Sequence, residues 1–598
     1  MYIRQTTIKS KKNAQPYFTY RLVESNRIDG KVKQRTLLNL GRTFSIKRED
    51  WKDLIACIGS LLQSTDFALS IRFPEAIEAE AQRIANQLHQ RGYGDKKIES
   101  KQYETVDIDS LECHRPRKVG VEQLALHALE QLDLTNKLKS CGFSQPQIAG
   151  ALGVIIGRLS SPSSERATYQ WLQKESGLGE LIGFDYEKMG VDRLYQVSDL
   201  LWKNKESIEA HLFEQEKNLF SLDETVTLYD LTNTFFEGRM LDAEQAKRGF
   251  SKEKRSDCPL VTLGLVLDSS GFPQRSQHFA GNVGESSTLE EMLIALKIKP
   301  NSTVVMDAGI ATEDNIKWLN ENNYNYLVVS RKRQREFDAE KACIVKETEG
   351  QMVKAHKTID EKTGEVLLYC HSQAREEKEK AMFEKARQCF EEQLTSLHQG
   401  LSKKRTIKKI QRIQQRIGRL RQKYQRISAH YQIDVEEKDG KATSILWKKE
   451  SPDGSMATHP GVYCLRTNQT DWDENKLWHT YTMLTDLEAV FRSLKSELGM
   501  RPVFHQKQAR IDGHLFITLL AYHVAHTLRT QLKAKGLHYS WNSIRKLVGN
   551  RQRVTFSVDC SDGRSLHLRQ ITKIEAHQAP IFDALNLTTK TKLLKMSI

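Results

Sequence analysis

Along this chain the spacing of apolar residues changes several times, and each change marks a boundary. In residues 1–46 "PYFTYRLVES" alternates apolar and polar positions, "NRIDGKVKQ" holds an Asp-Gly pair suited to a hairpin turn, and "RTLLNLG" follows. This predicts a small β unit. Residues 47–220 switch to helical spacing, as in "GVEQLALHALEQLDLTNKL", "FSQPQIAGALGVIIGRL" and "ATYQWLQKESG". From 221 to 331 short apolar runs take over: "VTLYDLT", "LVTLGLVLD" and "PQRSQHFAG", a helix "STLEEMLIALKI", a buried strand "STVVMD", a helix "ATEDNIKWLNEN" and a strand "YNYLVVS". Residues 332–478 break that pattern and 479–536 are helical again. The tail, 537–598, is mixed, with a strand pair in "RVTFSVDCSDGRSLHLR" about a second Asp-Gly turn.

The order β-β-β-α-β-α-β in 221–331 is that of a ribonuclease-H-like core, three meandering strands followed by parallel strands joined by helices. The expected fold is multidomain, of mixed α+β and α/β class. Its ribonuclease-H-like core, a mixed five-stranded sheet with helices, begins in 221–331, is interrupted by an insertion domain over 332–478, and is completed by 479–536. An N-terminal β unit (1–46), a helical region (47–220) and a C-terminal α/β tail (537–598) flank it. The helical region reads either as a bundle packed on the core or as a helix-turn-helix element for DNA binding or dimerisation. Within the insertion, "EEKEKAMFEKARQCFEEQLTSL" is a mixed-charge helix. After a turn, Ile410, Ile417 and Tyr424 recur every seven residues, as do Ile413, Leu420 and Ile427. Two apolar positions per heptad predict a seam. The simplest arrangement is an antiparallel hairpin, acidic arm against basic arm, followed by strands in "ATSILWKKE" and "HPGVYCLRTNQ".

Composition narrows the function classes. The 598-residue chain carries a net charge of +15. It has no run of the roughly 18–20 apolar residues that a membrane span needs. Its N-terminus, MYIRQTTIKSKK, lacks the apolar core of a secretory signal, and its nine cysteines are scattered singly without CxxC spacing. A cytoplasmic protein with no membrane partner is expected. Residues 401–430 carry eleven Lys/Arg and no Asp or Glu, so the rest of the chain nets only +4. The excess is local, and Lys403, Lys404, Arg405, Lys408, Lys409, Arg412, Arg416 and Arg419 are candidate contacts to DNA phosphates. A solvated charged face is the plainer alternative.

Three carboxylates carry the candidate chemistry. Asp230 lies near the end of the first core strand, in "LYDLTNTFFEG", and Asp307 at the end of the buried strand "VVMD". In this strand order the two strands are neighbours, roughly 4.8 Å apart. Both aspartates can then bind the same divalent metals, which two-metal phosphoryl transfer holds about 3.5–4 Å apart between hard oxygen ligands. The small Ala308 and Gly309 leave room beside them. The third carboxylate comes from "YTMLTDLEAVFRSLKSELG". At about 100° per residue, Leu487, Val490, Phe491, Leu494 and Leu498 form an apolar stripe. Tyr481, Glu488, Arg492 and Lys495 fall together beside it, within about 60° of arc. One acid, two bases and a phenol on one edge can present a metal ligand next to phosphate clamps. An ordinary solvated Glu–Arg pair is the alternative.

The spacing of Tyr481, Glu488 and Lys495 resembles the Tyr-Arg-Glu-Lys motif of the insertion-sequence-four superfamily of bacterial transposases. "YDLTNTFFEG", "GFSKEKRSDCPLVTLGLVLDSSGFP", "FAGN", "MDAG", "YLVVSR", "FRSLKSELGMRPVFH" and "RIDGHLFITLLAYHV" are similar to that family's blocks and stand in its order, over roughly 1–45 and 220–590. The motif's Arg is Leu484 here, which puts Leu484 outside the site and leaves Arg492, one turn past the Glu, to contact phosphate. The resemblance implies an Asp230–Asp307–Glu488 triad, and an insertion domain fits the 181-residue step from Asp307 to Glu488. It implies two Mg2+ (or Mn2+) ions per site, cleavage of transposon ends and strand transfer into target DNA. The implied partners are double-stranded DNA, both terminal inverted repeats and target, and a second copy of the chain in a synaptic homodimer. Tyr481, Arg492, Lys495 and Thr232 join the DNA-contacting set. An aromatic of the insertion, Trp472 or Trp478, is a candidate to stack on a flipped base. A regulatory end-binding protein without activity, or a metal nuclease without strand transfer, are the competing readings.

His505, His514, His523 and His526 cluster on and before "RIDGHLFITLLAYHVAHTL". His523 and His526 have metal-ligand spacing but no evident third ligand, so helix packing is expected of them rather than zinc.

Overall fold

The computed structural model describes residues 1–9, 16–28, 31–63, 74–90, 104–222, 226–238, 240, 243–250, 255, 257–296, 300–330, 335–348, 351–587 and 594–597. The Asp-Gly turn expected at 29–30 lies outside them. The chain divides into two compact units, Met1–Asp107 with Cys560–Gly563, and Ile108–Asp559 with Arg564–Ile598.

In the first unit three strands, β1 (Tyr2–Lys9), β2 (Pro16–Ile28) and β3 (Lys31–Gly41), form an antiparallel meander. Helices α1 (Trp51–Gln63) and α2 (Glu75–Gln90) complete it, and Leu22, Leu38, Leu54, Ile58, Ile84 and Leu88 form its core.

The second unit opens with β4 (Glu112–Lys118). Seven helices follow: α3 (Gly120–Gln131), α4 (Leu134–Ser140), α5 (Gln145–Ser160), α6 (Glu165–Lys174), α7 (Leu178–Ile182), α8 (Val191–Lys203) and α9 (Lys205–Phe220). Every residue of α5 from Ile148 to Leu159 is buried. A helix so enclosed offers no face to a DNA groove, which a recognition helix must enter.

Next come the strands β5 (Val226–Phe235), β6 (Leu260–Asp268) and β7 (Pro273–Ala280), the helix α10 (Leu289–Leu296), β8 (Thr303–Met306), α11 (Glu313–Glu321) and β9 (Asn325–Val329). The five strands lie side by side in the order β7-β6-β5-β8-β9. The first three are antiparallel, while β8 and β9 run parallel to β5.

The sheet does not stop at five strands, which corrects the expected size. It continues through β15 (Val462–Thr467), β12 (Val366–Ser372), β11 (Gln351–Ile359) and β10 (Cys343–Thr348) to nine strands. The reason is the free edge of β9: β15 pairs antiparallel along it, Leu465 opposite Val329, and covers backbone groups that would otherwise be unpaired.

Between β12 and β15 a hairpin projects. It consists of α12 (Gln373–Ser402), α13 (Ile410–Lys423) and the short α14 (Gln425–Ser428), packed on the ribbon β13 (Tyr431–Lys438)–β14 (Lys441–Lys449). Of the two heptad positions, Ile413, Ile417 and Ile427 are buried and Ile410, Leu420 and Tyr424 half-buried. The arms do not meet as acid against base. Four acids of α12 pair within that helix instead, Glu379 with Arg375, Glu376 with Lys380, and both Glu384 and Glu391 with Arg387.

Helix α15 (Glu474–Arg492) then packs across β5, β8, β9, β10 and β11. The long α16 (Gln508–Ala534), buried along most of its length, is the axis about which α3, α5, α8 and α9 pack. After α17 (Trp541–Val548), strands β16 (Gln552–Asp559), β17 (Ser565–Ile571) and β18 (Leu594–Ser597), with α18 (Ala579–Ala584), form the tail. The expected strand pair β16–β17 is present, and β4, over 400 residues earlier, pairs with it on the other edge. No helix among the described residues is long and apolar enough to cross a membrane.

Candidate active site

Strands β5 and β8 pair in parallel with Tyr229 opposite Met306, so the next residues in register are Asp230 and Asp307. Neighbouring strands lie roughly 4.8 Å apart. Asp230 is half-buried on a strand otherwise mostly buried. Asp307 is the first residue past β8 and is exposed. Each carboxylate accepts the following N–H, Leu231 at 2.7 Å and Ala308 at 2.6 Å. The Asp307 carbonyl accepts from Ile310 and Ala311, which turns the chain sharply. A Cβ at Gly309 would stand 2.6 Å from Oε2 of Glu285, so the turn lies close against the end of that flexible side chain. Glu285 was not singled out from the sequence; only its place at the start of the helical turn after β7 marks it.

Helix α15 brings the third carboxylate. Asp473 caps it, accepting from the Lys476 N–H at 2.7 Å. The expected stripe is its buried face: Leu487, Val490 and Phe491 are buried, and Leu494 and Leu498 beyond the helix are also buried. Glu488 and Arg492 are exposed and Tyr481 half-buried beside that stripe. Burial, and then the negative charges of Asp307 and Glu488, push the Tyr481 hydroxyl up from its ordinary value. Tyr481 therefore lies in the field of both carboxylates. Leu484 is half-buried against the main core, out of this row.

The α-helical count does not extend to Lys495. From Ser493 to Glu497 the helix widens into a π turn, which shifts the phase of the residues in it. Lys495 is half-buried there. Thr232 is 2% exposed, so its hydroxyl is not on a surface that DNA can reach. Trp478 is also buried, donating to the Tyr463 hydroxyl at 2.9 Å. Trp472 is half-buried, with the Lys476 ammonium 4.3 Å from its ring centroid.

A second group was not foreseen. Glu165, His505 and His514 are the one set of three or more His, Cys, Asp or Glu, among the described residues, whose ligand atoms all lie within 4.8 Å of one another. That spacing suits a metal ion. The triad Asp230, Asp307 and Glu488 does not close to that distance. Inside the buried group, however, a cation is already present. The Arg158 guanidinium stands 3.6 Å from Glu165 Oε1 and 2.6 Å from His514 Nδ1, and donates to the Gly499 carbonyl at 3.1 Å. His505 Nε2 lies 2.7 Å from Glu165 Oε2. Burial alone would raise the Glu165 carboxyl, but His505, His514 and Arg158 outweigh it and hold it well below the usual range. Burial, then Arg158, pulls His514 down to about 4.

The other histidines are packing residues with partners of their own. His523 meets the buried Glu216 at 2.7 Å, and His526 bonds the Ser270 carbonyl at 2.9 Å.

Five strands in this order, with two aspartates side by side and a carboxylate helix laid over them, define a class: a catalytic core of ribonuclease-H-like, metal-dependent nuclease type. Residues 215–524 match the family described as Transposase DDE domain, and residues 4–66 match the IS1634 family transposase, N-terminal domain. The first match covers more than half of the chain, which belongs to the DDE transposase family. No curated protein matches it.

Proposed function

We propose that this protein is a DNA transposase that cuts the ends of its element and joins them to target DNA, with Asp230, Asp307 and Glu488 as its catalytic carboxylates. The carrying observation is the register of β5 and β8, which sets the two aspartates side by side under the helix that bears Glu488. The donor set fits divalent ions. All three ligands are hard oxygens, and among the described residues neither Asp307 nor Glu488 forms an ion pair with Lys, Arg or His, so negative charge there is left to attract a cation. Two Mg2+ or Mn2+ ions bound there would polarise the scissile phosphate and lower the pKa of attacking water. Tyr481, kept protonated, can donate to a phosphate oxygen, and the exposed Arg492 can clamp a flanking phosphate. Trp472 is the aromatic available to an unstacked base.

Within the family, the Tyr481–Glu488–Lys495 spacing supports placement in the insertion-sequence-four superfamily. A dimer, one active site per DNA end, follows from the symmetry of the task. The test is incubation of the purified protein with Mg2+ and a plasmid carrying the DNA that flanks its gene. The expected products are nicks at the element ends followed by joined molecules. Nicks without joining would leave a nuclease, and end binding without nicks a regulatory protein.

A further inference from the structure

Helix α13 carries a second, separate feature. Arg412, Arg416, Arg419 and Lys423 recur at intervals of four, three and four, so they fall within about 60° of arc on one face. That face is turned about 100° from the apolar seam by the same geometry. All four are exposed, as are Lys403, Lys404, Arg405 and Lys409 in the loop before the helix. None of these eight forms an ion pair among the described residues; Glu376, Glu379, Glu384 and Glu391 of the facing arm pair along α12, and Glu391 also accepts from Tyr431. Lys423 rests 5.0 Å from the Tyr424 ring centroid, which leaves its charge uncancelled. The remaining exposed residues of α13 are Gln411, Gln414, Gln415, Gly418, Arg421 and Gln422. No aromatic or apolar side chain is exposed on this helix.

We infer that the outer face of α13, with the loop before it, is a sequence-independent docking surface for the phosphate backbone of duplex DNA. The inference rests on the DNA reading above and names a contact surface apart from the carboxylates. Unpaired bases need aromatic platforms, and none is exposed here; a bilayer needs apolar insertion, and a single exposed Ile407 in the loop offers little of it. A duplex offers only phosphates and grooves to such a helix. Along the roughly 16 Å from Arg412 to Lys423 it presents on the order of ten phosphate charges.

The experiment uses the full-length protein and a 30-base-pair duplex of arbitrary sequence, with binding followed by fluorescence anisotropy over a salt series. The fourfold variant Arg412→Gln, Arg416→Gln, Arg419→Gln, Lys423→Gln is expected to bind about 10- to 100-fold more weakly at 0.15 M salt. Its log–log salt slope should flatten by about 3–4, as each lost phosphate contact removes roughly 0.9. The same three arginines changed to lysine should keep the slope, which separates charge from helix integrity. An unchanged slope in the glutamine variant overturns the inference, and so does a loss confined to single-stranded RNA. If nicking fails in the wild-type protein while the slope behaves as stated, the catalytic reading falls and the docking surface stands.

Discussion

Two places in the second unit gather metal-ligand chemistry, and they solve opposite problems. The Glu165–His505–His514 group is compact and buried, and it contains its own cation, Arg158. The Asp230–Asp307–Glu488 group is looser and reaches solvent, with Asp307 and Glu488 exposed. In the first, Glu165 and Arg158 cancel and His514 is held neutral, so little charge remains for an added ion. In the second, Asp230 in mid-strand and Asp307 just past its strand are neighbours in register, and α15, which bears Glu488, packs on both strands. Ligand proximity and demand for a cation are therefore different properties. Binding a divalent ion at the first site would bring it against a guanidinium; at the second it would relieve repulsion.

The sharpest break between the two comes from Glu488→Gln. It should lower Mg2+-dependent nicking by on the order of 10⁴-fold, about 5–6 kcal/mol of barrier. Thermal stability should be nearly unchanged, because the side chain is exposed. The readout is single-turnover nicking beside a melting curve. Nicking lost instead in His505→Gln, with Glu488→Gln active, would invert the comparison.

Arg158→Met should act on folding. It leaves Glu165 buried beside two histidines without its cation, at a cost of roughly 3–5 kcal/mol, measured by equilibrium denaturation. Adding Glu165→Gln should recover part of the loss. A neutral outcome for Arg158→Met would mean that Glu165 has another partner, and the site would regain its claim on a metal.

How far each site was legible follows from how its residues are spaced. Asp230 and Asp307 could be found because each ends or interrupts an apolar strand, and strand order alone makes them neighbours. The stripe Leu487–Leu498 was legible by periodicity, but the π turn at Ser493–Glu497, in which Lys495 lies, was not. Glu165 and its partners come from three segments, around 158–165, 499–505 and 514; the histidines stood out as a cluster, but nothing in the sequence tied them to Glu165 or Arg158. The extension of the sheet was hidden for the same reason, since β9 and β15 pair across more than 130 residues. The self-pairing of α12 did leave a signal. Glu384, Arg387 and Glu391 stand at i, i+3 and i+7, spacings that favour pairing within one helix over pairing across a hairpin.

The buried group should also show itself in pH. His514 has a folded pKa of about 4 against 6.5 unfolded, so the unfolded chain takes up its proton first as pH falls. Its contribution is complete above 6.5 and is lost progressively between 6.5 and about 4, by about 3 kcal/mol. Glu165, held low, weakens the fold only at still more acid pH. His514→Gln should flatten the stability profile over pH 6.5–4 relative to wild type, read from denaturant midpoints. An unaltered slope would place the buried charge balance elsewhere.

The smallest effect discriminates most directly between the sites. A cation bound only by the folded protein adds RT ln(1 + [L]/Kd), about 1.4 kcal/mol at ten times Kd. For a unit of this size that is a rise of about 1–2 degrees in the melting temperature. With Mg2+ or Mn2+ the rise should disappear in Asp307→Asn and persist in His505→Gln, because uncompensated charge decides where the ion goes. The reverse pattern, loss in His505→Gln and persistence in Asp307→Asn, would show that ligand proximity outweighs the Arg158 charge. Repeating the scan with Zn2+, which prefers imidazole nitrogen to a set of carboxylates, gives the buried group its best chance. If even Zn2+ raises the melting temperature equally in wild type and His505→Gln, the guanidinium is the only cation that site takes.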